Sequence, residues 1–212
     1  MKRAIQSSLI SALLFGATSV SAVPARADDH PTIDLKKGWR QLFNGKDLTG
    51  WETRDTAGKK VPDDTWAVED GSITRKGKAY LWSTEEYGDF ILDLEFKVAP
   101  GSNSGVIVRH LPDSSGQPYW WDGLLEMQIL DSYGKSPATM HDSGALYDMI
   151  APSKNTARKA GQWNRSTITA RGSKIAVVLN GEKILDVDLD DWSEALRNPD
   201  GTPNKYHKPM KD

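Results

Sequence analysis

The chain has 212 residues, no cysteine, 27 Lys and Arg against 29 Asp and Glu, and a formal net charge of −2. That length suits one domain with a sizeable core, and a mildly acidic balance without a basic run excludes a nucleic-acid surface. Without cysteine there are no disulfides, so stability rests on packing, to which 8 Trp, 6 Tyr and 4 Phe contribute.

Lys2 and Arg3 precede an apolar run from Leu9 to Ala17, and Ala25-Arg26-Ala27 supplies a cleavage site between small residues. The pattern predicts a secretory signal peptide over 1–27, removed after Ala27, and a single domain over 28–212 in the periplasm or outside the cell. The run is too short and too broken by Ser and Gly to span a bilayer, so no integral membrane segment is expected in the mature form.

Downstream, helical periodicity is scarce. Short alternating runs bounded by Gly, Asn, Asp and Pro recur instead, the mark of an all-β sandwich or barrel. Trp39 to Phe43 is a short apolar run ended by Asn44-Gly45, and Leu48 to Trp51 reads as a tight turn. Asp70-Gly71 and Asn180-Gly181 are two-residue hairpin signals, because a type I′ turn needs positive φ at both positions. Strands are expected over Phe90–Val98, Val106–His110, Leu125–Leu130, Ser166–Arg171, Ile175–Leu179 and Lys183–Leu189, and a helical turn or two over Trp192–Arg197. Between Leu111 and Gly123 lies a Pro/Ser/Gly loop carrying Tyr119-Trp120-Trp121. Ser132 to Arg165 is a long connection, a kind that is usually functional when ordered. The last fifteen residues or so are polar and offer no further strand.

Leu125-Glu126-Met127-Gln128-Ile129-Leu130-Asp131 is the stretch around which the rest is organised. Leu125, Met127 and Ile129 share one strand face, and Glu126 and Gln128 the other. Glu95 and Arg109 occupy the polar phase of two other strands in the same way. Paired in one sheet, these four side chains would share a face with the groups needed to grip a sugar and move protons; the plain alternative is a set of solvated cross-strand ion pairs. Asp131 falls on the apolar phase, so it reaches the polar face only through a β-bulge, or else it opens the turn after the strand.

Several ordered stretches carry a further signal. Leu42-Phe43-Asn44-Gly45-Lys46-Asp47-Leu48-Thr49-Gly50-Trp51 resembles the opening motif of the 3-keto-disaccharide hydrolase domain family. Tyr87-Gly88-Asp89-Phe90 leading to Glu95-Phe96, Gly101 to Val106 leading to Arg109, Glu126 to Asp131, Ser143 to Tyr147, Gly161 to Asn164 and Leu179-Asn180-Gly181 are similar to the same family, in register. The resemblance implies a concanavalin-like jelly-roll sandwich of two antiparallel sheets acting on sugars oxidised at C3. The family's closing strand pair has no counterpart before Asp212, so a sandwich lacking its terminal strands is expected.

A ketone at C3 acidifies the C2 proton, so the bond at C1 can break by elimination. Such a reaction needs a base at C2, a positive group for the enolate and an acid for the leaving oxygen. Glu126 is assigned the base role, Arg109 or a bound cation the enolate, and Glu95 or His141 the acid. Gln128, Asp131, Tyr147 and either Trp120 or Trp121 are assigned to sugar binding, since aromatic faces pack on pyranose C–H groups. The E-x-Q-x-x-D run also resembles the E-x-D-x-x-E strand of jelly-roll β-glucanases, whose retaining chemistry needs two carboxylates about 5 to 5.5 Å apart. A conventional glycoside hydrolase and a non-catalytic, lectin-like sugar-binding module are therefore the alternatives. His30, His110, His141 and His207 show no zinc spacing. No cofactor is required by the pattern; the candidate cofactor is a hard divalent ion on Asp131, Asp142 and Asp148.

Overall fold

In a computed structural model, the structure describes residues 8–15, 19–21, 38–55, 58–110 and 124–210. Trp120 and Trp121 lie outside the described residues. Twelve strands are described: β1 (Ser8–Phe15), β2 (Ser19–Ser21), β3 (Trp51–Arg54), β4 (Trp66–Glu69), β5 (Ser72–Arg75), β6 (Tyr80–Tyr87), β7 (Phe90–Lys97), β8 (Asn103–His110), β9 (Leu124–Leu130), β10 (Trp163–Arg171), β11 (Lys174–Leu179) and β12 (Glu182–Asp188). No α-helix occurs among the described residues. The all-β jelly-roll class expected from the sequence is the fold observed, and no helix of the described residues is long and apolar enough to cross a membrane.

Two antiparallel sheets make the sandwich. One has the order β3-β6-β1-β8-β9 and the other β12-β11-β10-β7, with a small β2-β5-β4 sheet beside them. The core lies where their apolar phases meet. Val106 and Val108 of β8 and Leu125, Met127 and Ile129 of β9 pack against Phe96, Ile168, Ala170, Ile175, Val177, Leu179 and Ile184 of the second sheet. Each full burial of such an aliphatic side chain removes apolar surface worth roughly 1.5–3 kcal/mol. Both two-residue hairpins have the left-handed backbone their sequences call for, with φ of 50° and 70° at Asp70-Gly71 and 52° and 85° at Asn180-Gly181.

Residues 8–15, the apolar part of the expected leader, run between β6 and β8, with Ser11 opposite both Trp82 and Ile107. At the other edge, β9 is covered rather than bare. The backbone of 144–147 runs along it: Gly144 N donates to Gln128 O, Gln128 N to Ala145 O, and Tyr147 N to Glu126 O. Part of the long connection thus caps the sheet edge.

One expectation is corrected at this level. Trp192–Arg197 forms no helical turn, and the short 3₁₀ turn is Leu189–Asp191. Strand β6 had no alternation to announce it, because Leu81, Trp82 and Ser83 are buried in succession. The polar C-terminal segment is docked, with Tyr206 and Met210 buried against the main core.

Candidate functional site

Glu126 stands on the outer face of the five-stranded sheet, as its phase in β9 requires. Its register partner on β8 is Ile107, and its side chain lies across Gly105. A Cβ added to Gly105 would come within 1.8 Å of Glu126 Oε1, so a residue without a side chain is what lets the carboxylate rest flat on the neighbouring strand. Burial pushes the Glu126 carboxyl up to about 7; the charge of Lys205 opposes that rise and the charge of Asp148 adds to it.

Around this carboxyl stand groups from three separated segments. The connecting loop brings His141, Tyr147 and Asp148. His141 Nε2 lies 2.7 Å from Asp148 Oδ1, and its ring centroid is 4.8 Å from that of Tyr147. Asp148 has a left-handed backbone, φ 62°, unusual outside glycine and tolerated best by Asn and Asp. The C-terminal segment brings Lys205 and Tyr206, and β6 brings Tyr80. Tyr80, Tyr147 and Tyr206 are each held above the usual phenol range, first by burial and then, in part, by the negative charge of Glu126. Tyr206 anchors its segment to β9 by donating its hydroxyl to Leu124 O at 3.1 Å.

Of the residues assigned from sequence, Glu126, His141 and Tyr147 come together, with Asp148 beside them as a histidine partner. Others go elsewhere. Glu95 lies on β7, in the second sheet, opposite Arg165; it is on the wrong layer to act with Glu126. Arg109 is displaced by a β-bulge: the β8–β9 register shifts between Ile107 and Arg109, so Arg109 pairs with Leu125, a core-phase residue, instead of Leu124. Its guanidinium donates to Gly88 O and Gly172 O, both at 2.9 Å, with Asp89 at 3.7 Å. It ties together the β6–β7 and β10–β11 turns and is not the enolate cation.

Gln128 shares the phase of Glu126 but is buried. Its Nε2 donates to His141 O at 3.3 Å, and its Oε1 accepts from Ile129 N at 3.1 Å. It holds the loop that carries His141 rather than the sugar. Asp131 needs no bulge, because β9 ends at Leu130 and Asp131 Oδ2 accepts from Gly101 N at 3.0 Å, bracing the β7–β8 turn. It therefore forms no retaining pair with Glu126. Asp142 is buried; although burial opposes its ionisation, Lys135 Nζ at 3.0 Å and the Thr139 backbone and hydroxyl at 2.9 and 2.8 Å hold it below the usual carboxylate range. Asp131 and Asp142 are thus committed to loop bracing, and no group of three or more metal-ligating side chains is gathered among the described residues. The residues do not fit a divalent-ion site of Asp131, Asp142 and Asp148.

Sequence reasoning missed Lys205, Tyr80, Tyr206 and Gly105. Lys205 and Tyr206 sit in a polar, proline-bearing stretch without periodicity. Only the isolated aromatic at Tyr206 hinted that this stretch docks.

The jelly-roll sandwich thus carries one enclosed carboxylate on its outer sheet face, with phenols, an imidazole and an ammonium grouped beside it. The profile of the 3-keto-alpha-glucoside-1,2-lyase-like domain matches residues 38–208, and the chain belongs to that family. It is 26% identical over 193 residues to a 3-keto-disaccharide hydrolase of Bacteroides thetaiotaomicron, a match covering 80% of this chain and 66% of that protein. A solved structure from Parabacteroides distasonis, assigned as a glycosyl hydrolase, is 28% identical with a TM-score of 0.64 over 76% of this chain and 85% of its own. A second from the same organism has a TM-score of 0.60 at 24% identity, covering 75% and 76%, and shares the fold.

Proposed function

We propose that this chain is an exported glycoside-cleaving enzyme acting on sugars with a ketone at C3, and that it breaks the C1–oxygen bond by elimination. The observation that carries the reading is the Glu126 carboxyl, laid across Gly105 on the outer sheet face and pushed up to about 7 by burial. A base poised near neutrality can both take the C2 proton and release it again. Glu126 removes that proton, the electron pair moves into the C2–C3 enolate, and collapse of the enolate forms the C1–C2 double bond as the leaving oxygen departs. His141 gives that oxygen its proton. Asp148 fixes the imidazole by its hydrogen bond to Nε2, as an orienting carboxylate does in other acid–base pairs. Tyr147 packs against His141 with ring centroids 4.8 Å apart and helps to hold the imidazole in place. Addition of water across the C1–C2 double bond would make the overall reaction a hydrolysis.

The test compares a 3-keto-disaccharide with its unoxidised parent. Cleavage of the ketone alone, with release of an unsaturated 3-keto sugar, supports elimination. Equal cleavage of both sugars would sink it in favour of conventional glycoside hydrolysis. Binding without turnover would leave the lectin-like alternative.

Export rests on the sequence pattern of residues 1–27. Removal after Ala27 would take β1 out of the five-stranded sheet and β2 out of the three-stranded one. N-terminal sequencing of protein recovered from the periplasm or medium, beside the cytoplasmic fraction, checks it: a start at Asp28 outside the cytoplasm supports export with cleavage, an intact Met1 there refutes cleavage, and protein confined to the cytoplasm refutes export.

A further inference from the structure

With Arg109 committed to the turns at the end of the sandwich, the enolate lacks the cation assigned to it. The structure supplies another. Lys205 Nζ lies 5.2 Å from the ring centroid of Tyr147 and 5.4 Å from that of Tyr206. The two faces hold an ammonium by their π electrons without taking its N–H donors. Neither a carboxylate within ion-pair distance nor a hydrogen-bond acceptor engages Lys205 among the described residues. Its segment is fixed by the next residue, since Tyr206 is buried and donates to Leu124 O, two positions along β9 from Glu126. A half-buried lysine is thus held beside the base with its donors unspent, next to the tyrosine that faces the imidazole.

We propose that Lys205 is a catalytic residue of this site, the cation that receives the C3 oxygen of a 3-keto sugar as it becomes an enolate. The inference rests on the elimination reading. As Glu126 takes the C2 proton, the carbonyl π pair moves onto the C3 oxygen and Lys205 donates an N–H to it. When the enolate collapses, the C3 carbonyl re-forms, the C1–C2 double bond forms, and the C1–oxygen bond breaks with its electrons on the leaving oxygen. Lys205 keeps its proton throughout, so the step needs no further reactant. A fixed cation aimed at developing charge in an enclosed site acts most strongly where the charge appears. The same ammonium explains why Glu126 is restrained from rising further than burial alone would carry it.

The experiment uses p-nitrophenyl 3-keto-glucoside, whose leaving group departs without an acid, and follows wild type, K205A and K205R. Wild type is expected to cleave it. K205A is expected to lose about 10²-fold or more in kcat with KM changed far less, the scale of one lost oxyanion donor. Added ethylamine should restore part of it, and K205R should fall between. The acidic limb of kcat/KM in K205A should move to higher pH, because the charge that lowers Glu126 is gone. A folded K205A with near-wild-type kcat overturns the assignment. So does a loss that neither ethylamine nor arginine relieves and that leaves the pH limb in place, the behaviour of a merely structural residue. Wild type inert towards the 3-keto-glucoside would overturn the elimination reading itself, and this inference with it.

Discussion

Glu126 on β9 and Glu95 on β7 are the same kind of residue in the same kind of place: each sits in the polar phase of a strand whose other phase fills the core. Yet one lies under a loop and a docked C-terminal segment, and the other on the far layer beside a different arrangement. There Arg165 pairs with Asp93 at 2.8 Å and Thr167 donates to Asp93 at 2.9 Å. The contrast shows that alternation fixes a side chain's face, while the company that changes its chemistry comes from segments distant in sequence.

The sharpest way to break this contrast is to neutralise each glutamate. E126Q should lower kcat/KM on a 3-keto-disaccharide by about 10²–10⁴, the range for a lost general base, whereas E95Q should leave it unchanged; parallel steady-state assays decide. Next comes the cradle. G105A should cost about 10²-fold in activity by displacing the Glu126 carboxylate, a scale set by misplacement of about an ångström, and spectroscopic melting should show whether the fold is kept.

Stability provides a third comparison. The folded pKa of Glu126, about 7, lies above its ordinary value of 4.5, so the folded state holds the proton that the unfolded state gives up between those values. Stability therefore falls as pH rises from 4.5 to 7, by an amount on the order of 3 kcal/mol. Denaturant melts at pH 5 and pH 8 should show E126Q lacking that loss and exceeding wild type at pH 8. R109M should destabilise by roughly 1–3 kcal/mol through loss of its charged hydrogen bonds to Gly88 O and Gly172 O while the folded fraction keeps its activity. E95Q should change stability by less than about 0.5 kcal/mol, as substitutions on the half-buried outer face of a strand away from special features do.

Much of the sandwich was legible from alternation and two turn dipeptides, because both report short-range geometry: β7 to β12 fall close to their expected places, and Asp70-Gly71 and Asn180-Gly181 turn as their residues require. Glu126 was legible for the same reason. His141 and Tyr147 were legible through the family resemblance and residue chemistry, not through periodicity. Lys205 was not, since nothing local distinguishes it from other lysines in a polar stretch; only the burial of Tyr206 gives it a place. Strand β6 was hidden by apolar residues on both its faces. Gln128 was misassigned because strand phase alone does not reveal that the His141 loop covers it. Arg109 was misassigned because a register shift is a property of two strands together.

That shift decides more than the fate of one arginine. Regular pairing would set Arg109 opposite Leu124, on the face that carries Glu126; the extra residue in β8 gives that position to His110, whose ring meets Trp82 edge-on at 6.3 Å. An arginine offers donors only, whereas an imidazole can both donate and accept. One inserted residue therefore exchanges a permanent charge at the rim for an amphoteric group, and widens the proton chemistry open to that face without altering any residue on β9.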